Sequence, residues 1–280
     1  SSSAASDVYK RQILNIDVLS FQRLAYRIFE ETGGAREVLL DDTGKSMVLQ
    51  KLVQQHRKNL PYLGSQMNKP GYLDEVKSLI SEFMQYDIRE EELQDMLGKT
   101  GEDSLLHMKM QDVGVLYQAF LQYLEGHYMT GEGVMDALKK AIPFSDKLKK
   151  SVLLLDGFTG FTPVQMNVIR ELLNVCDKVL VTVTMDAGEN PLQMGKPHQL
   201  FYMSRKMIHT LSGLTSNLDD PVLLKDERKG RFGNSTSLDF LEKHLFRYRR
   251  SAYEKKQEEI CIFAAESPVK EPVSYTHLTL

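Results

Sequence analysis

The segment Ser151-Val152-Leu153-Leu154-Leu155-Asp156-Gly157-Phe158-Thr159-Gly160-Phe161-Thr162-Pro163-Val164 decides the fold. Val152, Leu153, Leu154 and Leu155 form an unbroken apolar run, the pattern of a strand buried on both faces, and Asp156 closes it. Thr162-Pro163 then supplies a capping hydroxyl and a proline pre-set for the first helical position, so a helix is predicted over 164–175. Residues 178–185 alternate Val with Thr and read as a second strand. Strand, helix and strand in this order make a βαβ unit, with parallel strands and a right-handed crossover. The expected class is α/β.

Upstream, residues 16–19 form a short apolar stretch ending at Ser20, a good N-cap. Phe21, Leu24, Ala25, Ile28 and Phe29 then recur at i, i+3, i+4, i+7 and i+8, and the helix is expected to end at Gly33-Gly34. That stripe leaves Arg23, Tyr26, Arg27 and Glu30 together on the opposite face. From 41 to 150 the apolar spacing is helical throughout, broken near Pro61, Pro70-Gly71 and Lys99-Thr100-Gly101, which reads as a large all-helical insertion. Downstream of the βαβ unit, helices are predicted over 200–211 and 238–253 and a strand over 260–264. The expected segments are 13–40 and 151–258 as two parts of one α/β domain, 41–150 as the insertion, and 259–272 as the start of another domain.

Both ends need a separate reading. Asp7-Val8-Tyr9-Lys10-Arg11-Gln12 is one translation of GATGTGTATAAGAGACAG, and the reverse complement read in another frame gives Val273-Ser274-Tyr275-Thr276-His277. Both strands of one oligonucleotide at opposite ends resemble a translated sequencing adapter. Residues 1–12 and 273–280 are therefore expected to be adapter-derived tails, the rest being an internal part of a longer polypeptide.

The 280 residues are 42% hydrophobic and 26% charged, without an apolar run long enough to span a bilayer, so no membrane role is expected. Two cysteines, Cys176 and Cys261, form neither a CxxC pair nor a Cys/His cluster, which disfavours a disulfide framework and a zinc site and fits a reducing cytoplasm. His56, His107, His127, His198 and His209 make no HExxH-type pair, and no metal site is expected. The net charge of −3 argues against simple polyelectrolyte binding to nucleic acid. It conceals an asymmetry: residues 81–103 hold eight acids against two bases, and residues 225–256 hold ten bases against five acids. Solvated helix faces explain such blocks, and a basic segment following a polyanion is the alternative.

An apolar strand ending in Asp156 at the carboxyl edge of a parallel sheet is where a P-loop NTPase places its magnesium-holding carboxylate. Superfamily 1 helicases of the UvrD type follow that strand with Asp-Glu-Phe-Gln-Asp and a helix. Here Asp156, Phe158 and the helix start match, but Gly157 stands where the water-activating acid would be and Gly160 where the second acid would be. Glycine has no group to accept a proton. Earlier, Leu19-Ser20-Phe21-Gln22-Arg23-Leu24-Ala25-Tyr26-Arg27 occupies the place of the Thr-Phe-His motif of those helicases. This motif, followed by Thr32-Gly33-Gly34 and by Leu155-Asp156-Gly157-Phe158 with Phe161-Thr162-Pro163, resembles the AddB family of bacterial AddAB-type helicase-nucleases over nearly the whole chain.

The resemblance implies a degenerate, UvrD-like P-loop helicase domain interrupted by the helical insertion. It implies that Asp156 and Gly157 are a vestigial Walker B pair, and that the chain itself has no catalytic residue. It also implies cytoplasmic work in homologous-recombination repair of double-strand breaks, with AddA and single-stranded DNA as partners. Phe21, Arg23, Tyr26, Phe158 and Phe161 are the expected DNA contacts, since aromatic rings can stack on bases while arginine meets phosphate. ATP, magnesium and a 4Fe-4S cluster belong to the parent family, and their phosphate loop and nuclease motifs are not in this sequence. Two other readings stay open: an active helicase motor, which needs an acid at position 157, and a purely structural partner-binding domain, in which the loop phenylalanines merely plug the core. Thr43-Gly44-Lys45-Ser46 ends like a phosphate loop, but Asp41 and Asp42 would sit where phosphate must, so a helix capped by Asp42 or Thr43 is expected. Asp186 is expected to cap a helix.

Overall fold

A computed structural model of the chain describes residues 16–34, 37–67, 69, 71–186, 188–224, 232–247, 251–262, 264 and 267. It divides into two compact units, 1–183 and 184–280. The expected tails at 1–12 and 273–280 lie outside the described residues.

In the first unit, helix α1 (Phe21–Thr32) begins where the Ser20 side chain accepts from the Arg23 amide at 3.3 Å. It ends at Gly33, whose φ of 77° suits glycine because no Cβ has to be accommodated. Residues 16–19, the apolar stretch before Ser20, are not a strand, and Ile16 and Val18 are 65% and 88% exposed. No strand pairs with them among the described residues, and an unpaired ladder has no reason to form. Strand β1 (Val38–Leu39) instead runs parallel to β2 (Tyr128–Met129). The latter corrects the all-helical reading of 41–150: two residues are too few to display alternation, and β2 exists only through its partner.

Between these strands lie α2 (Asp42–His56), α3 (Leu63–Gln66), α4 (Tyr72–Gln85), α5 (Glu90–Gly98) and α6 (Leu105–Leu124). The cap of α2 is Asp41, one residue before the expected position, accepting from the Gly44 amide at 2.7 Å. Leu49, Leu52, Leu60, Ile80, Phe83, Leu93, Leu116 and Phe120 bury into one core shared by these helices. Buried Asp112 on α6 accepts from the amides of Tyr62 and Leu63, at 2.9 and 2.6 Å, and so starts the one-turn α3 that has no cap of its own.

A second core forms around α7 (Gly131–Ala141), which packs on α1 and on α8 (Pro163–Val175). Ala25, Ile28, Val134, Leu138, Ile142, Val164, Val168 and Leu172 meet there. Packing thus assigns α7 to the core of the α/β part rather than to that of the preceding helices. Strands β3 (Val152–Leu155) and β4 (Lys178–Val181) are parallel, with Val152 opposite Lys178 and Leu155 opposite Val181. The strand expected to be buried on both faces is buried on one: Leu155 is 5% exposed, whereas Val152 and Leu154 are 58% and 56% exposed. With two strands in the sheet, α8 packs against it and Val152 and Leu154 stay largely exposed. The β4 strand stops at Val181, four residues short of the expected end.

The second unit contains α9 (Tyr202–Ser212), close to its expected place, and α10 (Thr236–His244). The latter was expected to reach residue 253. It stops because Leu245 is extended and Phe246 has a φ of 60°, and Tyr253 folds back, its hydroxyl 2.6 Å from that of Thr236. Residues 260–262 of the expected strand are not a strand, and Phe263 lies outside the described residues.

Candidate functional site

Three rings meet at the carboxyl end of β3. Phe158 and Phe161 lie 4.8 Å apart between centroids, and Phe21, the first residue of α1, stands edge-on to both at 5.9 and 6.1 Å. All three are half-buried, so each keeps part of its ring open to solvent. Residues far apart in sequence reach one spot because α1 and α8 pack on the same α7, which places the start of α1 beside the loop leading into α8.

That loop is held at both ends. At its start, the Asp156 carboxylate accepts from the Thr182 hydroxyl, and the Thr182 amide donates to the Leu155 carbonyl at 3.0 Å. Gly157 then turns the chain with a φ of 76°, a conformation L side chains rarely adopt. At its end, Thr162 and Gln165 form a capping box: the Thr162 amide donates to the Gln165 carboxamide at 3.0 Å, and the Gln165 amide to the Thr162 hydroxyl at 3.4 Å. Thr182 belongs to no motif in the sequence. Its signal is present in the strand register, since the residue after Val181 must face the residue after Leu155.

Arg23 and Tyr26 do not join the ring cluster. Both project from the exposed side of α1, with Tyr26 42% exposed and edge-on to Phe29 at 6.4 Å. Tyr26 borders a cavity of about 400 Å³ that Glu30 and Glu37 also line, so its surroundings are acidic. Arg27, on the same face, is committed to Asp17. Arg23 is exposed and has no carboxylate partner among the described residues.

Several other titratable groups are held in hydrogen bonds and ion pairs within the fold. Lys45, in the phosphate-loop look-alike, is 6% exposed and donates to both oxygens of Glu132 at 3.0 Å and to Ser81 at 3.1 Å. Burial pushes the Glu132 carboxyl up, but its own backbone amide and Lys45 outweigh that and hold it below the usual range. Glu31 accepts from the Ser145 hydroxyl at 2.7 Å and from the amides of Asp146 and Lys147 at 2.9 and 3.1 Å; the Ser145 bond leads in lowering its pKa. Asp186 caps no helix: it accepts from the Gly188 amide and pairs with Arg247 at 2.7 Å. Within the basic stretch, Lys243, Arg247 and Lys256 each pair with a carboxylate, and Lys225, Arg228, Lys229, Arg231, Arg249 and Arg250 lie outside the described residues. Among the described residues no three His, Cys, Asp or Glu side chains gather as a metal site would need, and no helix is long and apolar enough to cross a membrane.

Comparison with known proteins gives a consistent result. The family model described as "ADDB, N-terminal" matches residues 3–242. The B-subunit of the ATP-dependent helicase/deoxyribonuclease of Lachnoclostridium phytofermentans is 40% identical over 269 residues, covering 94% of this chain and 23% of that protein. The proteins of the same name from Desulforamulus reducens and Clostridium acetobutylicum are 31% and 30% identical, over 86% and 91% of this chain. The chain spans only 21% to 23% of the length of these relatives.

Proposed function

The chain belongs to the ADDB N-terminal family, and from that premise we propose that it is the part of a helicase-nuclease subunit that inspects unwound single-stranded DNA for a recombination signal. The observation that carries this reading is the meeting of Phe21, Phe158 and Phe161 at the carboxyl edge of β3–β4, on the same first unit as the exposed cation Arg23 of α1. Parallel sheets gather ligands at that edge, and half-open rings offer faces on which successive bases can stack. Tyr26, one turn from Arg23, supplies a further aromatic face. Its acidic neighbours Glu30 and Glu37 suit a base rather than a phosphate.

In this reading a motor subunit of the AddA type unwinds the duplex in the cytoplasm, and this chain handles one product strand during recombinational repair of double-strand breaks. ATP and magnesium are bound by other parts of the assembly. Within this chain the would-be phosphate-loop lysine is buried against Glu132, and Gly157 carries no acid. An iron–sulfur cluster needs four thiolates, and Cys176 and Cys261 cannot supply them. The DNA-free alternative, in which the phenylalanines only close the core, is favoured by the mutual packing of their rings and opposed by their partial exposure.

The test is made in a complete heterodimer. Arg23→Ala or Tyr26→Ala is expected to impair response to the recombination signal while unwinding continues, each contact contributing roughly 1–3 kcal/mol. Normal response in both folded variants would place the strand elsewhere.

A further inference from the structure

Resemblance to active helicases would make Asp156 a magnesium ligand; the geometry points to a different use, and we infer that Asp156 is a positioning residue, clamping Thr182 so that the loop carrying Phe158 and Phe161 is held ready for bases. The inference rests on the proposed strand-binding site and assigns it a supporting pair. Asp156 and Thr182 stand on the step beyond the last paired residues of β3 and β4, Leu155 and Val181. The Thr182 amide bonds the Leu155 carbonyl at 3.0 Å, and its hydroxyl donates to the Asp156 carboxylate, so the side chains add a rung where the backbone ladder stops.

The two glycines of the loop beyond contribute no packing to it. A Cβ placed at Gly157 or at Gly160 meets nothing within 4 Å, so neither position packs against a neighbour. Gly157 makes the first bend of the loop, with a positive φ, and Thr159 makes a second. Phe158, Thr159, Gly160 and Phe161 run between the Asp156–Thr182 clamp and the Thr162–Gln165 capping box, and the Phe158 and Phe161 rings pack on each other and on Phe21. An aromatic platform binds well only if its rings are already in place, because ordering them on binding costs affinity. Asp156 has no acid next to it in the sequence and belongs to no cluster of three potential ligands among the described residues, which makes it a poor divalent-cation site, whereas one hydroxyl donor is enough for a clamp.

The experiment uses the full heterodimer containing this chain and a fluorescent single-stranded oligonucleotide. Asp156→Ala and Thr182→Val are each expected to weaken binding roughly five- to tenfold, the loss of one hydrogen bond at a solvent-exposed position. The double variant should be no weaker than either single one. Asp156→Asn, which keeps the acceptor, should restore affinity to within about twofold of the parent, independently of magnesium. The amides of 158–161 should exchange with deuterium faster in the Ala and Val variants and at the parental rate in the Asn variant. A magnesium ligand would behave oppositely: Asn would fail like Ala, excess magnesium would rescue, and Thr182→Val would be harmless; that pattern overturns the inference. Phe158→Ala separates the two levels. If it binds DNA normally, the strand-binding reading fails, and the exchange rates still decide the clamp; if it binds poorly while the clamp variants match the parent in affinity and exchange, the clamp alone fails.

Discussion

Gly157 is a residue whose identity follows from its backbone. With a φ of 76° and nothing within 4 Å of the point where a Cβ would stand, the obstacle to a side chain is conformational rather than steric crowding. Gly157→Ala is expected to cost about 1 kcal/mol, read as a lower denaturant midpoint at unchanged slope. Gly157→Glu should carry the same penalty and give no ATP turnover, since the carboxylate would arrive without a phosphate loop. A midpoint equal to the parent's would mean the turn accepts an L residue freely. Glu31 offers a pH-dependent case. Its carboxyl, held below the ordinary 4.5 chiefly by the Ser145 hydroxyl, stabilises the fold when ionised. A depressed folded pKa gives stabilisation that is complete above the unfolded value and disappears as pH falls through the folded one. Glu31→Ala should therefore melt below the parent at neutral pH and converge with it as the pH drops under 4.5; a gap independent of pH would show that Glu31 acts by packing alone.

At the scale of elements, the buried pair Lys45–Glu132 ties α2 to the start of α7 and, through Ser81, to α4. It thereby links helices that belong to two separate hydrophobic cores. Removing one partner strands a charge in a site where the side chains are 8% and 11% exposed. Lys45→Met or Glu132→Leu is expected to destabilise by about 3–5 kcal/mol, and the double substitution by clearly less. If the double variant is as unstable as the sum of the singles, the two side chains are not coupled. This pair also marks the reach of local sequence signals. The βαβ unit was legible because capping chemistry at Thr162-Pro163 and the apolar run before Asp156 are local. So was α1, from the Ser20 cap to the Gly33 stop. The partner of Lys45 is 87 residues away, and β2 is two residues long; both depend on tertiary contacts that no local period encodes. The ring cluster was half legible: Phe21, Phe158 and Phe161 stand in recognisable motifs, but Thr182 becomes visible only once β3 and β4 are in register. Exposure of Val152 and Leu154 escaped the sequence for the converse reason, because an apolar run reports what a strand can bury and not what covers it.

For the whole molecule, burial is distributed very unevenly between the two units. Among the described residues every buried apolar side chain except Met207 lies at or before Leu172, inside the unit that ends at Val183. That unit contains both hydrophobic cores, the Lys45–Glu132 tie and the Glu31–Ser145 latch. Among its described residues the unit from Thr184 onward shows mainly polar fastenings, Asp186 to Arg247, Gln199 to the largely buried Arg205, and Glu259 to Ser235 and Ser237, beside the ring contacts of Phe240 with His244 and Tyr253. Such bonds are each worth about 1 kcal/mol net, and more where a charge is involved, whereas a buried Leu or Phe contributes about 1.5–3 kcal/mol. The two units should consequently open at different free energies, the polar one first. Hydrogen exchange is expected to find the amides of 202–212 and 236–244 less protected than those of 113–120 and 164–172. A chain cut after Val183 should retain a cooperative thermal transition, and Lys45→Met should lower that transition as it does in the longer chain. Loss of the transition on truncation, or equal protection in both sets of helices, would mean that the later unit contributes a share of stability that its sparse apolar burial does not account for.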